Sequence, residues 1–202
     1  MPQPLSRVMP NASVMIGNAG DRPLLRHPQL AALAIEAIAS WSNVENFMLK
    51  MFTELFGGHE SLATDIYLSL ENQSAKTASI NAAANNVLKE KPEELAVLKA
   101  IISISKTNEK SRNKLAHWTW GDSPNIPDGV LLINPKSSIG NLNKSEMYLY
   151  KENDFTSIIE ANDKLCGFGL RFNFILKGHV ANRDGNLLKE LQEEPEIKER
   201  LS

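Results

Sequence analysis

Cysteine is nearly missing from this chain, and so is any surplus of charge. Cys166 is the one cysteine in 202 residues, so no disulfide can close within a chain and one copy cannot assemble a cysteine-based zinc site. That usage predicts a reducing, cytoplasmic setting. No apolar run approaches the roughly eighteen residues of a membrane span. The opening MPQPLSRVMPNASVMIGNAGDRP lacks a basic stretch followed by an uninterrupted apolar core, so neither membrane insertion nor secretion is expected. A formal net charge of -2 and a pI near 6.1 exclude a surface coated in positive charge for wholesale nucleic-acid binding. Internal repeats and low-complexity tracts are missing as well.

What is present is helical periodicity. With 42% apolar residues, the length suits one well-packed domain with appendages. Residues 1–26 carry four prolines and two glycines without periodicity, which predicts a flexible N-terminal arm. From Pro28 onward, Leu30, Leu33, Ala34, Ala37, Ile38, Trp41, Val44, Met48, Met51, Phe52 and Leu55 recur at three- and four-residue steps until Gly57-Gly58. HESLATDIYLSL and SAKTASINAAANNVLKE predict a helix pair or one helix broken at ENQS. PEELAVLKAIISISKTNEKSRNKLAHW predicts a helix from Pro92 to about Trp118, with Glu93 and Glu94 favourable against its N-terminal dipole.

The texture then changes. GVLLIN and EMYLYK predict a β-hairpin over about 129–152, laid on the bundle. A further helix follows over about 154–177, with Asp154 as N-cap and Gly178 beyond its end. The tail, 179–202, is acidic and weakly amphipathic, a peripheral helix or a frayed end. The expectation is thus a mainly α protein: one helical-bundle domain over 27–178, its core at 28–121, with a small C-terminal hairpin and an additional helix.

Two apolar stripes are interrupted by polar residues. In the helix from Pro92, the face of Leu98, Ile101 and Ile102 continues through Ser105, Asn108, Glu109 and Arg112 before returning to Leu115 and Ala116. A surface helix ordinarily keeps its charges on the opposite face. Glu45 similarly interrupts the first long helix, and because an unpaired buried carboxylate is costly, Arg112 is the expected partner. An internal ion pair tying two helices would suffice to explain both residues.

Asn113 and His117 lie four apart on one helical face, with Arg112 on its flank. An imidazole, an amide and a guanidinium supply a proton-transfer group, an orienting hydrogen-bonder and an anion clamp. That set suits phosphodiester cleavage without a metal: His117 accepts the proton of a ribose 2′-hydroxyl and Arg112 stabilises the phosphorane-like transition state. From Lys99 to His117 the chain carries Lys99, Lys106, Lys110, Arg112 and Lys114 against Glu109 alone. Such a basic face attracts a phosphate backbone, although cations near a helix C-terminus also compensate the dipole.

Arg112-Asn113 followed by His117 resembles the R-N-x-x-x-H motif of the HEPN superfamily, and the likeness covers about residues 28–121. The resemblance implies an up-and-down helical bundle, a homodimer whose two motifs form a composite site, and a metal-independent endoribonuclease of toxin-antitoxin or phage-defence type. RNA is then the substrate, an antitoxin or other neighbour-encoded protein a partner, and no cofactor is needed. Where a subfamily modified by a partner nucleotidyltransferase has tyrosine, this chain has Thr119, so adenylylation there is not expected. Some members of the superfamily are inactive, which keeps a non-catalytic helical dimerisation or sensing module as the alternative.

The remaining candidates are weaker. Trp118 and Trp120 are expected to pack as a lid, with base stacking as their other use. His59 belongs on a loop without companions at metal-ligand spacing. His27 and His179 are expected to be exposed. CGFGLRF reads as close helix packing, with Cys166 a small buried residue.

Overall fold

The periodicity that begins at Pro28 becomes a 28-residue helix in the computed structural model, which describes residues 1–17, 21–57, 59–138 and 143–201. In chain order the elements are β1 (Gln3–Pro4), α1 (Leu5–Val8), β2 (Met15–Ile16), α2 (Pro23–Arg26), α3 (Pro28–Leu55), α4 (Glu60–Ser69), α5 (Gln73–Val87) and α6 (Pro92–His117). They continue with β3 (Thr119–Asp122), β4 (Val130–Ile133), α7 (Pro135–Ser138), β5 (Met147–Tyr150), α8 (Glu152–Leu176), α9 (Asn186–Glu193) and α10 (Pro195–Leu201). The protein is mainly helical with a small antiparallel sheet. Among the described residues no helix is long and apolar enough to cross a membrane.

Local chemistry sets the helix ends. Gly57, at φ 59°, follows α3; Gly58 lies outside the described residues. Asn72 caps α5 by accepting from the Ala75 amide at 2.8 Å. Asp154 falls one turn inside α8 rather than at its cap and reaches back to accept from the Lys151 amide at 3.1 Å, the return half of a capping box. Gly178, at φ 60°, follows α8, a left-handed position that glycine takes without a Cβ clash.

Instead of the single domain expected over 27–178, the chain divides into two compact units, to each of which α3, α6 and α8 contribute a segment. The first comprises Met1–Trp41 with Asn108–Ala161, the second Ser42–Thr107 with Asn162–Ser202.

The first unit is built on a sheet of order β1-β5-β4-β3-β2, antiparallel throughout. The predicted hairpin pairs Val130 with Tyr150 and Ile133 with Met147, but it is the centre of a five-stranded sheet rather than an appendage. Residues 139–142 of its connection lie outside the described residues. β4 is buried on both faces, which is why GVLLIN reads as an unbroken apolar run. Val130 and Leu132 join Leu30, Ala34, Leu115 and Phe155 on one side, while Leu131 and Ile133 join Leu5, Ala12, Met147 and Leu149 on the other.

The N-terminal arm is therefore not a loose appendage. It supplies both edge strands of the sheet, β1 against β5 and β2 against β3, and Leu5 is 0% exposed. Arg26 fastens the second edge through Nε and Nη2 to the two carboxylate oxygens of buried Asp122, at 2.6 and 2.8 Å, and through Nη1 to Asp21 at 2.5 Å. His27 was expected to be exposed. Instead it is 12% exposed, with Nε2 at 3.6 Å from Asp122 Oδ2.

The second unit buries Phe52, Tyr67, Ile80, Leu98, Ile101, Phe168 and Phe172. Gly169 permits the close helix packing expected of CGFGLRF, since a Cβ there would meet Phe47 Cβ at 3.1 Å, whereas Gly167 faces open space. The acidic tail is neither frayed nor a single helix: α9 and α10 bury Leu191 and Ile197.

Candidate functional site

The last turns of α6 carry the site candidates, and the helix ends on His117 itself. Leu115 is buried and anchors this turn to the apolar face of the sheet. Its neighbours Arg112, Asn113 and Lys114 are consequently half-buried, while Ala116 and His117 are exposed. The stripe expected to close apolar at Leu115 and Ala116 thus closes only at Leu115.

Arg112 and Asn113 are brought into direct contact. Arg112 Nη1 donates to Asn113 Oδ1 at 3.0 Å, and Asn113 Nδ2 donates to Glu109 Oε1 at 3.4 Å. This short relay orients the amide and, through it, the guanidinium. Arg112 Nε is buried and makes no hydrogen bond. His117 sits one turn beyond Asn113 and forms no hydrogen bond or ion pair among the described residues. It is not joined to Arg112 within one chain.

Glu45 and Arg112, the expected pair, lie in different units. Among the described residues neither Glu45 nor Arg112 enters an ion pair. Glu45 belongs to the second unit, where its charge acts on Tyr67: burial, and then Glu45, hold the Tyr67 hydroxyl above the ordinary phenol range. Helical spacing showed that Glu45 shares an apolar stripe, but it carried no information about which group it meets. The residue that sequence reasoning left out is Glu109, four before Asn113 and so on the same face.

The tryptophans pack, as expected, and Trp120 does so from β3. Trp118 meets Tyr148 with ring centroids 5.8 Å apart, and Trp120 stacks on Phe155 at 6.4 Å. Lys114 Nζ lies 5.1 Å from the Trp118 centroid and 5.0 Å from that of Tyr148, so this cation is held over two rings. Trp118 and Trp120 also wall a largely apolar cavity of about 450 Å³ with Pro23, Leu24 and Leu25. His59 and His179 are exposed. Cys166 is half-buried rather than buried.

Comparison with family models, with curated proteins and with solved structures finds no match. The chemistry of this site has to be argued from its own residues.

Proposed function

We propose that the chain is a HEPN-like, metal-independent endoribonuclease acting as a homodimer in the cytoplasm, in a defence or toxin-antitoxin role. The observation that carries this reading is the contrast at the end of α6: Arg112 and Asn113 are held in a relay while His117, one turn on, is exposed and unengaged. An exposed imidazole with no partner among the described residues is free to take up and release a proton.

In the reaction, a His117 imidazole takes the proton of a ribose 2′-hydroxyl. The 2′-oxygen attacks phosphorus, the bond from phosphorus to the 5′-oxygen breaks, and an imidazolium returns a proton to that leaving oxygen. The products are a 2′,3′-cyclic phosphate and a 5′-hydroxyl. Arg112 stabilises the charge that develops on the phosphoryl oxygens, and Asn113 keeps it in position. Lys114 and the other cations of α6 favour a phosphate backbone, and the Trp118–Trp120 cavity offers an apolar face to the base beside the scissile bond. In this reading, as the resemblance implies, a second copy brings its own Arg112, Asn113 and His117 to a composite site.

The test is cleavage of labelled single-stranded RNA in the presence of EDTA, wild type beside His117→Ala, with light scattering to establish whether two 22.4-kDa chains associate. Wild-type cleavage to cyclic-phosphate ends and an inactive variant are expected. Equal cleavage by both proteins would count against His117 as the catalytic group, and none by either would favour a non-catalytic dimerisation or sensing module.

A further inference from the structure

The cavity beside Trp118 and Trp120 in the first unit is built by segments distant in the chain. One wall is formed by residues 21–25, the other by Trp118, Thr119 and Trp120. Arg26, one residue beyond the first wall, ties the two together: its Nε and Nη2 donate to the carboxylate oxygens of Asp122, two residues beyond the second, at 2.6 and 2.8 Å. Gly17 completes the lining. A Cβ there would meet the Trp120 carbonyl oxygen at 2.7 Å and Pro23 Cδ at 3.0 Å, so only glycine lets the backbone lie this close to both walls.

Both indoles are held in place by the chain itself. Trp118 is braced by Tyr148 and by the Lys114 ammonium, and Trp120 lies on Phe155. Rings already fixed by packing leave a ligand little to order when it covers them. Neither ring is closed over: both are half-buried, and Leu25, on the other wall, is 72% exposed. Two indoles, Pro23, Leu24 and Leu25 around one concavity have the composition of a small-molecule site, which is mostly apolar and aromatic.

The lining also restricts the occupant. Asp21 is already paired with Arg26, so stacking and apolar contact do most of the selecting. Arg22 is exposed and enters no ion pair among the described residues, and a positive charge is what a nucleotide phosphate meets favourably. A volume of about 450 Å³ lies within the roughly 300–1,000 Å³ of such sites and takes a fused two-ring system. His117 immediately precedes Trp118 in the chain, so in the ribonuclease reading a ring entering this cavity belongs to a nucleotide at the scissile bond. A larger ring removes more apolar surface from water and stacks more strongly, and a purine is the larger of the two base types.

We propose that this cavity is a purine subsite: it takes the base of a nucleotide next to the scissile bond by stacking and apolar contact, and selects RNA by ring size rather than by hydrogen bonds to base edges. The proposal rests on the ribonuclease reading for the place of that nucleotide in the substrate. The binding of the ring does not depend on cleavage.

The full-length protein is titrated with adenosine, inosine, cytidine and uridine, followed by saturation-transfer NMR and tryptophan fluorescence, and the ends of RNA cut by the wild type are sequenced. The two purine nucleosides are expected to bind at least about fivefold more tightly than the pyrimidine ones, and the cuts to lie beside a purine. Trp118→Leu is expected to weaken adenosine binding by about tenfold or more, with thermal melting to confirm that the variant folds. Leu25→Ser, at an exposed position that the fold does not need, is expected to weaken it by about threefold or more and decides alone if Trp118→Leu does not fold. Purine binding by a wild type that cuts no RNA supports the subsite and counts against the ribonuclease reading alone. Absence of binding by all four nucleosides at millimolar concentration, equal binding of all four, or cuts indifferent to the neighbouring base overturns the proposal. So does wild-type affinity for adenosine in the folded variants.

Discussion

Arg112 leans back on its own neighbour, donating from Nη1 to Oδ1 of Asn113, whose Nδ2 in turn donates to Glu109. Adjacent helical side chains do not ordinarily face each other; the length of the arginine makes this contact possible, and the bond fixes one of its many rotamers. Losing it does not unfold α6, whose hold here is the buried Leu115. The consequence falls on where the guanidinium points.

In the ribonuclease reading, Asn113→Ala therefore lowers the cleavage rate by about 10–100-fold, the usual effect of removing a group that orients a functional side chain. Glu109→Ala produces a smaller loss through the slackened amide, and Glu109→Gln stays near wild type because its amide oxygen still accepts. Single-turnover rates on one RNA check the series. Wild-type rates in Asn113→Ala would show that Arg112 needs no holding.

Leu5→Ala tests the N-terminal segment. Leu5 is fully buried among Ile133, Met147 and Leu149, so truncating it costs about 2–5 kcal/mol, read as a lowered midpoint in urea. A loss below about 0.5 kcal/mol, the size of an ordinary surface substitution, would mean that the segment does not dock.

That segment also shows where the sequence stops being legible. Long helices announce themselves through many repeats of one spacing, so α3, α6 and α8 were readable nearly to the residue. β4 and β5 were readable because burial leaves dense apolar runs. β1 and β2 contain two residues each, too few for any alternation, and β1 pairs with residues far along the chain, Gln3 with Leu149 and Pro4 with Tyr148. Pro4, which read as part of a loose arm, instead sits in an edge strand, where a missing amide donor is tolerated. The site behaves similarly: the relay from Glu109 to Arg112 follows helical spacing and could be found, whereas the environment of Glu45 depends on side chains from other elements.

Lys114 joins the candidate site to the sheet. Its ammonium stands about 5 Å from the ring centres of both Trp118 and Tyr148. Lys114→Met keeps the aliphatic stem and removes the charge, and is expected to cost about 0.5–1 kcal/mol. In a Trp118→Leu background the same change costs measurably less, the coupling that a double-mutant cycle reports. Strict additivity of the two changes would place the lysine in solvent instead.

Cys166 gives the pH test. Burial, aided by the charge of Asp163, pushes its thiol up to about 11 from an ordinary 9.0. The folded chain therefore keeps a proton that the unfolded chain releases first. Stability from this group is fully present below pH 9 and declines as pH rises from 9 to 11, where the unfolded state binds fewer protons. Reactivity follows the same group, since the thiolate is the nucleophile. At pH 8 the folded protein is expected to react with iodoacetamide on the order of 100-fold more slowly than the urea-unfolded chain. Its alkylation rate should climb toward an apparent pKa near 11, and Cys166→Ser removes the labelling while flattening this part of the stability curve. Labelling at pH 8 as fast as in the unfolded chain would place the thiol in water and remove the alkaline dependence with it.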